Sequence, residues 1–242
     1  MSYEMLVLDL DGTLTNSQKK ISPKTKEALM KVLESGKHVV LASGRPTYGI
    51  IPLAKELNLA KYGGYILSFN GAKIINCSTN QVIYNKLLLP EYITPIYNHV
   101  KGSGVNMITY QDQDIISAFR PVEETYKESK INDMPVKQVH DFISYVDFPI
   151  NKLLITGDPD ILVPMEQELK SKYHSVLNIF RSEPYFLEIM PQKIDKAHSL
   201  QRLLSSLNLT SDEMICCGDG YNDLTMIEYA GLGVAMANAQ PA

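Results

Sequence analysis

The chain has 242 residues, 45% of them hydrophobic and 21% charged, which is enough apolar content to bury a core in one large domain or two modest ones. A formal net charge of −4 and a pI near 5.8 give no basic field for a polynucleotide, and no run of Lys and Arg makes a local one, so no nucleic-acid partner is expected. Any phosphate the protein binds must therefore be held by a few placed groups and a cation.

In chain order, the apolar run 5–8 reads as a buried strand. A turn containing Gly12 follows, then a helix over 23–35 with Ser22 as N-cap and Gly36 just past its end. The pattern repeats as strand 39–42, helix 47–57 and strand 65–68. Apolar strands alternating with helices predict a parallel sheet covered on both faces. Asn70-Gly71 is a hairpin signal, and 72–75 with 82–84 predict a small antiparallel addition. Between about 85 and 188 each helix is followed by two strands: helix 90–101 with strands 106–109 and 115–118, then helix 159–173, capped by Asp158, with strands 176–180 and 186–190. This repeated order predicts an inserted antiparallel sheet with helices on one face. From Lys196 the first pattern resumes as helix 196–207, strand 214–217, helix 221–229 and strand 232–235. The expected fold class is α/β: a Rossmann-like, doubly wound parallel sheet core split into 1–84 and 189–242, with an inserted α+β domain over 85–188 built from two helix-strand-strand units.

The three cysteines, Cys77, Cys216 and Cys217, lack metal-ligand spacing and a neighbouring His, and read as reduced, packed residues. The histidines are dispersed and form no zinc set. Residues 1–14 lack the length and cleavage signal of a secretory leader, and no other stretch approaches membrane-spanning length, so the expectation is a cytoplasmic protein with no membrane partner.

Ligands of open parallel sheets bind beyond the carboxyl ends of the strands. Three loops directly follow apolar strands there: Asp9-Leu10-Asp11-Gly12-Thr13, Ser43-Gly44-Arg45 and Gly218-Asp219-Gly220-Tyr221-Asn222-Asp223. Taken singly, each also reads as helix N-caps and turn formers. Together they hold four Asp residues at the ends of buried strands, a cost that a divalent cation would relieve. An all-oxygen set without His or Cys suits a hard ion, Mg²⁺ before zinc. Asp9 and Asp11 are two apart, so an extended backbone would put both on one face while Gly12 lets the chain turn away. Ser43 offers a hydroxyl and Gly44 an accessible N–H to phosphate oxygens, and Lys196, at the start of a helix, offers a point charge or is a surface residue. An Asp is already ionised at neutral pH and needs no general base to attack phosphorus, provided cations offset the repulsion. Attack by Asp9 would give an aspartyl phosphate, with Asp11 protonating the leaving oxygen and later activating water.

These residues resemble the haloacid dehalogenase superfamily, and within it the Cof-type sugar phosphatases with a large inserted cap. The motifs that carry the resemblance are Asp9-Leu10-Asp11-Gly12-Thr13-Leu14, Ser43-Gly44-Arg45, Ile194-Asp195-Lys196 and the 218–223 loop, with Asn70-Gly71-Ala72 as a further shared element. The resemblance implies Asp9 as nucleophile and metal ligand, Asp11 as acid/base with its carbonyl on the metal, and Asp219 as the third protein ligand. It places Asp223 behind the ligands, orienting them. It gives the phosphoryl group to Ser43, Gly44, Lys196, Asn222 and the Leu10 backbone, and turns Arg45 and Asn70 toward the substrate. The cap is implied to select the leaving group, with Tyr110, Arg120, Arg181 and Tyr185 as candidates that also read as ordinary surface residues. Lys193 and Ala197 stand where the family usually has glycine, and relatives usually continue past the 234–239 run with a further strand and helix, so the core is expected to be incompletely represented. The expected function is Mg²⁺-dependent hydrolysis of a small phosphorylated metabolite. A phosphosugar mutase or a non-catalytic, phosphate-binding regulator are the alternatives.

Overall fold

The computed structural model describes residues 2–241, and the chain divides into two units, Met1–Asn85 with Ile194–Ala242 and Lys86–Lys193. The first unit opens with β1 (Met5–Leu8), α1 (Pro23–Glu34), β2 (His38–Ala42), α2 (Thr47–Glu56), the short α3 (Leu59–Tyr62), β3 (Tyr65–Ser68), β4 (Lys73–Asn76) and β5 (Val82–Asn85). The second unit runs through α4 (Ile93–Val100), β6 (Asn106–Gln111), β7 (Asp114–Ser117), α5 (Glu123–Asn132), β8 (Val136–Gln138), α6 (Phe142–Tyr145), β9 (Leu153–Thr156), α7 (Pro159–Tyr173), β10 (Leu177–Glu183) and β11 (Phe186–Pro191). The chain returns to the first unit with α8 (Lys196–Leu207), β12 (Met214–Gly218), α9 (Leu224–Tyr229) and β13 (Leu232–Ala235).

The sheet of the first unit has the order β13-β12-β1-β2-β3-β4-β5, parallel from β13 to β3 and antiparallel beyond. Its central strands β1, β2 and β3 are mostly apolar because both of their faces are covered. Val7, Val40 and Leu67 pack with Leu200, Leu203 and Leu204 of α8. Leu8, Val39 and Leu41 pack on the other side with Leu29 and Leu33 of α1 and Ile50 and Leu53 of α2. Each such side chain, fully buried, contributes about 1.5–3 kcal/mol. Ser22 caps α1, its Oγ accepting from Thr25 N at 3.1 Å, with Pro23 supplying the preset φ of the first helical position. Leu8 lies level with Cys217 on one side and Leu41 on the other, so the ends of β12, β1 and β2 are adjacent and their following loops gather at one edge.

The second unit has its own six-stranded sheet, in the order β10-β11-β9-β6-β7-β8. The two helix-strand-strand units are present as α4-β6-β7 and α7-β10-β11, with Asp158 capping α7. The expectation that these alone build the insert needs correction, because α5, β8, α6 and β9 lie between them and β7 pairs with β8 in parallel. Helices also lie on both faces of the sheet. Ile96, Phe142, Leu162 and Leu169 cover the face carrying Met107, Ile155 and Ile189, whereas α5 lies on the opposite face, with Ile108, Leu154 and Phe186. The inward side of α5 is polar: Thr125 Oγ1 accepts from Asn106 Nδ2 at 3.0 Å and bonds Thr156 Oγ1 at 2.8 Å. A helix buried through hydroxyls and amides carries no apolar period for sequence reading to find. β11 extends to Pro191, past the expected end of the insert at 188, and Lys193 adopts the left-handed φ of 56 that glycine takes freely.

Candidate active site

Asp9 follows β1 directly, and its N–H donates to Cys217 O at 3.0 Å, which ties the first loop to β12. The loop closes on itself through Leu14 N to Asp9 O at 3.1 Å and Thr15 N to Leu10 O at 2.9 Å. Gly12 has φ +94, and a Cβ there would lie 2.1 Å from Asp219 Oδ2, so only glycine permits this loop and the one after β12 to approach so closely. Thr13 Oγ1 then donates to Asp219 Oδ1 at 2.7 Å.

Asp9, Asp219 and Asp223 each offer a carboxylate oxygen, and these atoms lie within 4.8 Å of one another. Lys196, fully buried at 0% exposure, projects into the same place from the first position of α8, a fact that removes the surface reading of this residue. Its Nζ donates to Asp9 Oδ1 at 2.7 Å, Asp223 Oδ1 at 2.5 Å and Ala42 O at 2.9 Å. Asp223 Oδ2 accepts from the N–H groups of Asp219 and Gly220 at 3.0 and 2.9 Å. Both Asp223 oxygens are thus engaged in holding Lys196 and the 218–220 backbone in place. Burial, against the opposing charge of Lys196 and with the like charge of Asp223, pushes the Asp9 carboxyl up to about 6. Burial also works against the charge on Lys196, but the Asp9 and Asp223 carboxylates outweigh it and hold its pKa above the ordinary lysine range.

Asp11 stands apart from this cluster. Arg45 forks onto it, Nε donating to Oδ2 at 2.7 Å and an NH2 to Oδ1 at 2.5 Å, while Lys19 Nζ donates to Oδ1 at 2.7 Å. Burial would raise the Asp11 pKa, yet these two cations outweigh it and lower the value below the usual carboxylate range. Arg45, expected to face the substrate, commits its Nε and an NH2 to Asp11 and reaches Gly49 O with its other terminal nitrogen at 3.4 Å.

Ser43 and Gly44 follow β2 beside Lys196, whose Nζ holds the preceding carbonyl of Ala42. They are clasped by the turn after β3, where Asn70 N donates to Ser43 O at 2.9 Å and Phe69 N to Arg45 O at 3.0 Å. Phe69 and Asn70 both take left-handed φ values, 53 and 52, a conformation costing roughly 1–2 kcal/mol per residue that the clasp must offset. Asn222 Nδ2 donates to Asn70 Oδ1 at 3.1 Å, and a Cβ on Gly44 would come within 3.1 Å of that same oxygen. Gly44, Asn70 and Asn222 therefore meet at one point, Ser43 Oγ accepts from Arg45 N at 3.2 Å, and Lys196 gathers Asp9, Asp223 and the Ala42 carbonyl.

Charge tests whether a cation fits. Three buried or half-buried carboxylates face a single ammonium, which leaves two negative charges in excess within a few ångströms. A divalent ion with a preference for oxygen matches that deficit and that donor set. Besides Thr13, sequence reading passed over Asn238, whose Nδ2 donates to Asp219 Oδ2 and Gly12 O at 3.1 Å each, and Lys19. Thr13 had a signal in its place directly after the Gly12 turn. The other two are brought in only by the path of their loops.

Known proteins share this fold. The family model of haloacid dehalogenase-like hydrolases matches residues 6–242. A haloacid dehalogenase-like hydrolase from Bacteroides thetaiotaomicron is 46% identical and superposes with a TM-score of 0.96, covering 99% of this chain and 90% of that one. The crystal structure of TM0651 from Thermotoga maritima is 30% identical with a TM-score of 0.86, over 98% of this chain and 88% of that one. Among curated proteins, the 5-amino-6-(5-phospho-D-ribitylamino)uracil phosphatase YcsE of Bacillus subtilis (strain 168) is 28% identical over 240 residues, 99% of this chain and 86% of the relative.

Proposed function

The chain belongs to the haloacid dehalogenase-like hydrolase family and is a phosphatase of it, and from that premise we propose that it hydrolyses a small sugar or sugar-alcohol phosphate through an aspartyl phosphate on Asp9, with magnesium as cofactor. The observation that carries the reading is the Asp9 carboxylate, held at Oδ1 by Lys196 at 2.7 Å within the Asp219 and Asp223 cluster. Asp9, Asp219 and the Asp11 carbonyl would hold a magnesium ion, which when bound would supply positive charge to offset the repulsion between carboxylate and phosphate dianion. Asp223 keeps Lys196 and the Asp219 backbone in register.

Asp9 attacks phosphorus, so that a bond from its carboxylate oxygen to phosphorus forms as the bond from phosphorus to the leaving oxygen breaks. The bond pair goes to the leaving oxygen, which takes a proton from Asp11, a carboxyl that Arg45 and Lys19 hold ionised in the free chain and that has to acquire this proton as the ester binds. Asp11 then accepts a proton from the water that attacks the phosphoryl group, releasing inorganic phosphate and restoring Asp9. Ser43, the N–H groups of Leu10 and Gly44, Lys196 and Asn222 hold the phosphoryl oxygens, and Arg45 serves Asp11. With a carboxyl near 6, Asp9 is still largely anionic at neutral pH and able to attack. The second unit contributes none of these side chains and is left to select the leaving group. The substrate class is supported by the relative whose name puts its phosphate on a ribityl chain. The free state of Cys77, Cys216 and Cys217 supports work in a reducing cytoplasm.

The test is phosphate release from a panel of sugar and sugar-alcohol phosphates with and without Mg²⁺, together with acid trapping of labelled phosphate on the chain. Release should require Mg²⁺, and Asp9→Asn should lose roughly 10⁴-fold or more of the turnover and all of the trapped label while keeping its circular dichroism. Substantial hydrolysis by Asp9→Asn at millimolar magnesium would falsify the reading. An isomeric sugar phosphate formed without free phosphate would assign a mutase in its place.

A further inference from the structure

The carboxylate of Asp11 is gripped from two sides, and one of the two cations belongs to no motif. Arg45 reaches it from the buried side and Lys19 from the exposed side, so that Oδ1 receives two donors, at 2.5 and 2.7 Å, and Oδ2 one, at 2.7 Å. A carboxylate oxygen has two lone pairs, which leaves the open one on Oδ2. The turn that carries Lys19 is built in detail. Asn16 Oδ1 accepts from Gln18 N at 2.9 Å and Lys20 N at 3.2 Å, Asn16 N donates to Lys20 O at 3.0 Å, and Lys19 N donates to Asn16 O at 2.8 Å. Lys19 itself is held at φ 59, a conformation that a residue with a Cβ adopts only where its surroundings impose it. Thr15 bridges to Asp11 on one side and to Ile21 on the other, which fixes this turn to the loop that bears Asp11.

A merely incidental surface pair would need none of this backbone, since flexible lysines find carboxylates by themselves. We propose that Lys19 is a positioning residue of the hydrolysis: by filling the second lone pair of Oδ1 it completes the fixing of the Asp11 carboxyl begun by Arg45 and leaves one lone pair of Oδ2 as the position open to the leaving group. This rests on the acid role proposed for Asp11. Arg45 alone fixes the plane of the carboxyl but treats its two oxygens alike. Lys19 makes them unequal.

An ester whose leaving group needs no proton separates this role from others. Kinetics of the Mg²⁺-loaded, full-length enzyme would be measured on ribose 5-phosphate, which leaves as an alkoxide, and on p-nitrophenyl phosphate, which leaves as a stabilised phenolate. For Lys19→Met, kcat/KM on the alkyl ester should fall about ten-fold, a part of the contribution of general acid catalysis, and on the aryl ester much less, with Lys19→Arg restoring most of the loss. An equal fall on both esters with a raised KM would make Lys19 a phosphate binder and overturn the proposal. No change on either ester, at an unchanged melting temperature, would make it an ordinary surface pair and overturn it too. Asp11→Asn serves as the separate control: it should favour the aryl ester more strongly still, and an equal loss on both would instead remove the acid role of Asp11 itself.

Discussion

Asp9 is kept in an environment that suits its chemistry and not its folding. Burial dominates, the single ammonium of Lys196 compensates only in part, and the carboxyl rises from 3.8 to about 6. A carboxyl whose folded pKa lies above its unfolded one binds more protons in the folded state between the two values. Stability of the metal-free chain is then highest below about pH 4, declines as pH rises toward about 6, and stays at the lower level beyond, as far as Asp9 is concerned. Asp9→Asn, whose amide oxygen can still accept from Lys196, should therefore be more stable than the natural chain in chelator at about pH 7.5, by something on the order of 1–3 kcal/mol, and the gap should close toward pH 4. Denaturant unfolding of both chains at several pH values checks this, and a less stable Asn variant at about pH 7.5 would refute it. Residues such as Asp9, Ser43 and Asp219 were legible because each directly follows an apolar strand, and strand ends are where an open sheet does its chemistry. The partner of Arg45 was not, because it depends on where the loop after β1 folds back, and neither composition nor spacing encodes that path.

At the scale of elements, legibility followed apolar periodicity. β1, β3, α7 and α8 begin and end where the sequence places them, since their buried faces are largely apolar and their ends carry Pro, Asp or Gly signals, and the mostly exposed β13 does so through its short apolar run after Gly231. α5 escaped because Thr125, Glu128 and Asn132 are its buried residues. Its position depends on hydrogen bonds: Thr125 Oγ1 also accepts from Val122 N at 3.3 Å, and Asn132 Nδ2 donates to Glu128 Oε1 at 2.8 Å. Such bonds stabilise where the buried groups find partners, as Thr125 Oγ1 does with three, whereas Asn132 Oδ1 is buried without one among the described residues. Thr125→Val keeps the shape but leaves Asn106, Thr156 and Val122 N short of a partner, so it should cost about 2–3 kcal/mol, more than the loss of one ordinary hydrogen bond. Phosphate release should be little affected, since all the side chains proposed for the chemistry lie in the first unit. An unchanged unfolding midpoint would mean that water replaces the hydroxyl, and would return the placement of α5 to its few apolar contacts.

For the molecule as a whole, the change of pattern near residue 85 marks a unit that folds by its own rules. Lys86–Lys193 holds an uninterrupted six-stranded sheet with an apolar cluster on each face. Its two ends are tied within the unit as well. Lys86 Nζ donates to Gln192 O at 2.5 Å, Asn151 Nδ2 to Lys86 O at 2.8 Å, and Leu88 N to Ile150 O at 2.8 Å. A chain whose ends meet can be interrupted or supplied separately without pulling its sheet apart, which is the property an insertion requires. The unit produced alone, from 86 to 193, should therefore unfold in one cooperative transition with a stability of about 5–10 kcal/mol, ordinary for a domain of its size. Far-ultraviolet circular dichroism against denaturant reads this directly. A gradual transition without a baseline would show that the sheet and its two clusters need the first unit to form, so that the split core would have to fold before the segment it encloses.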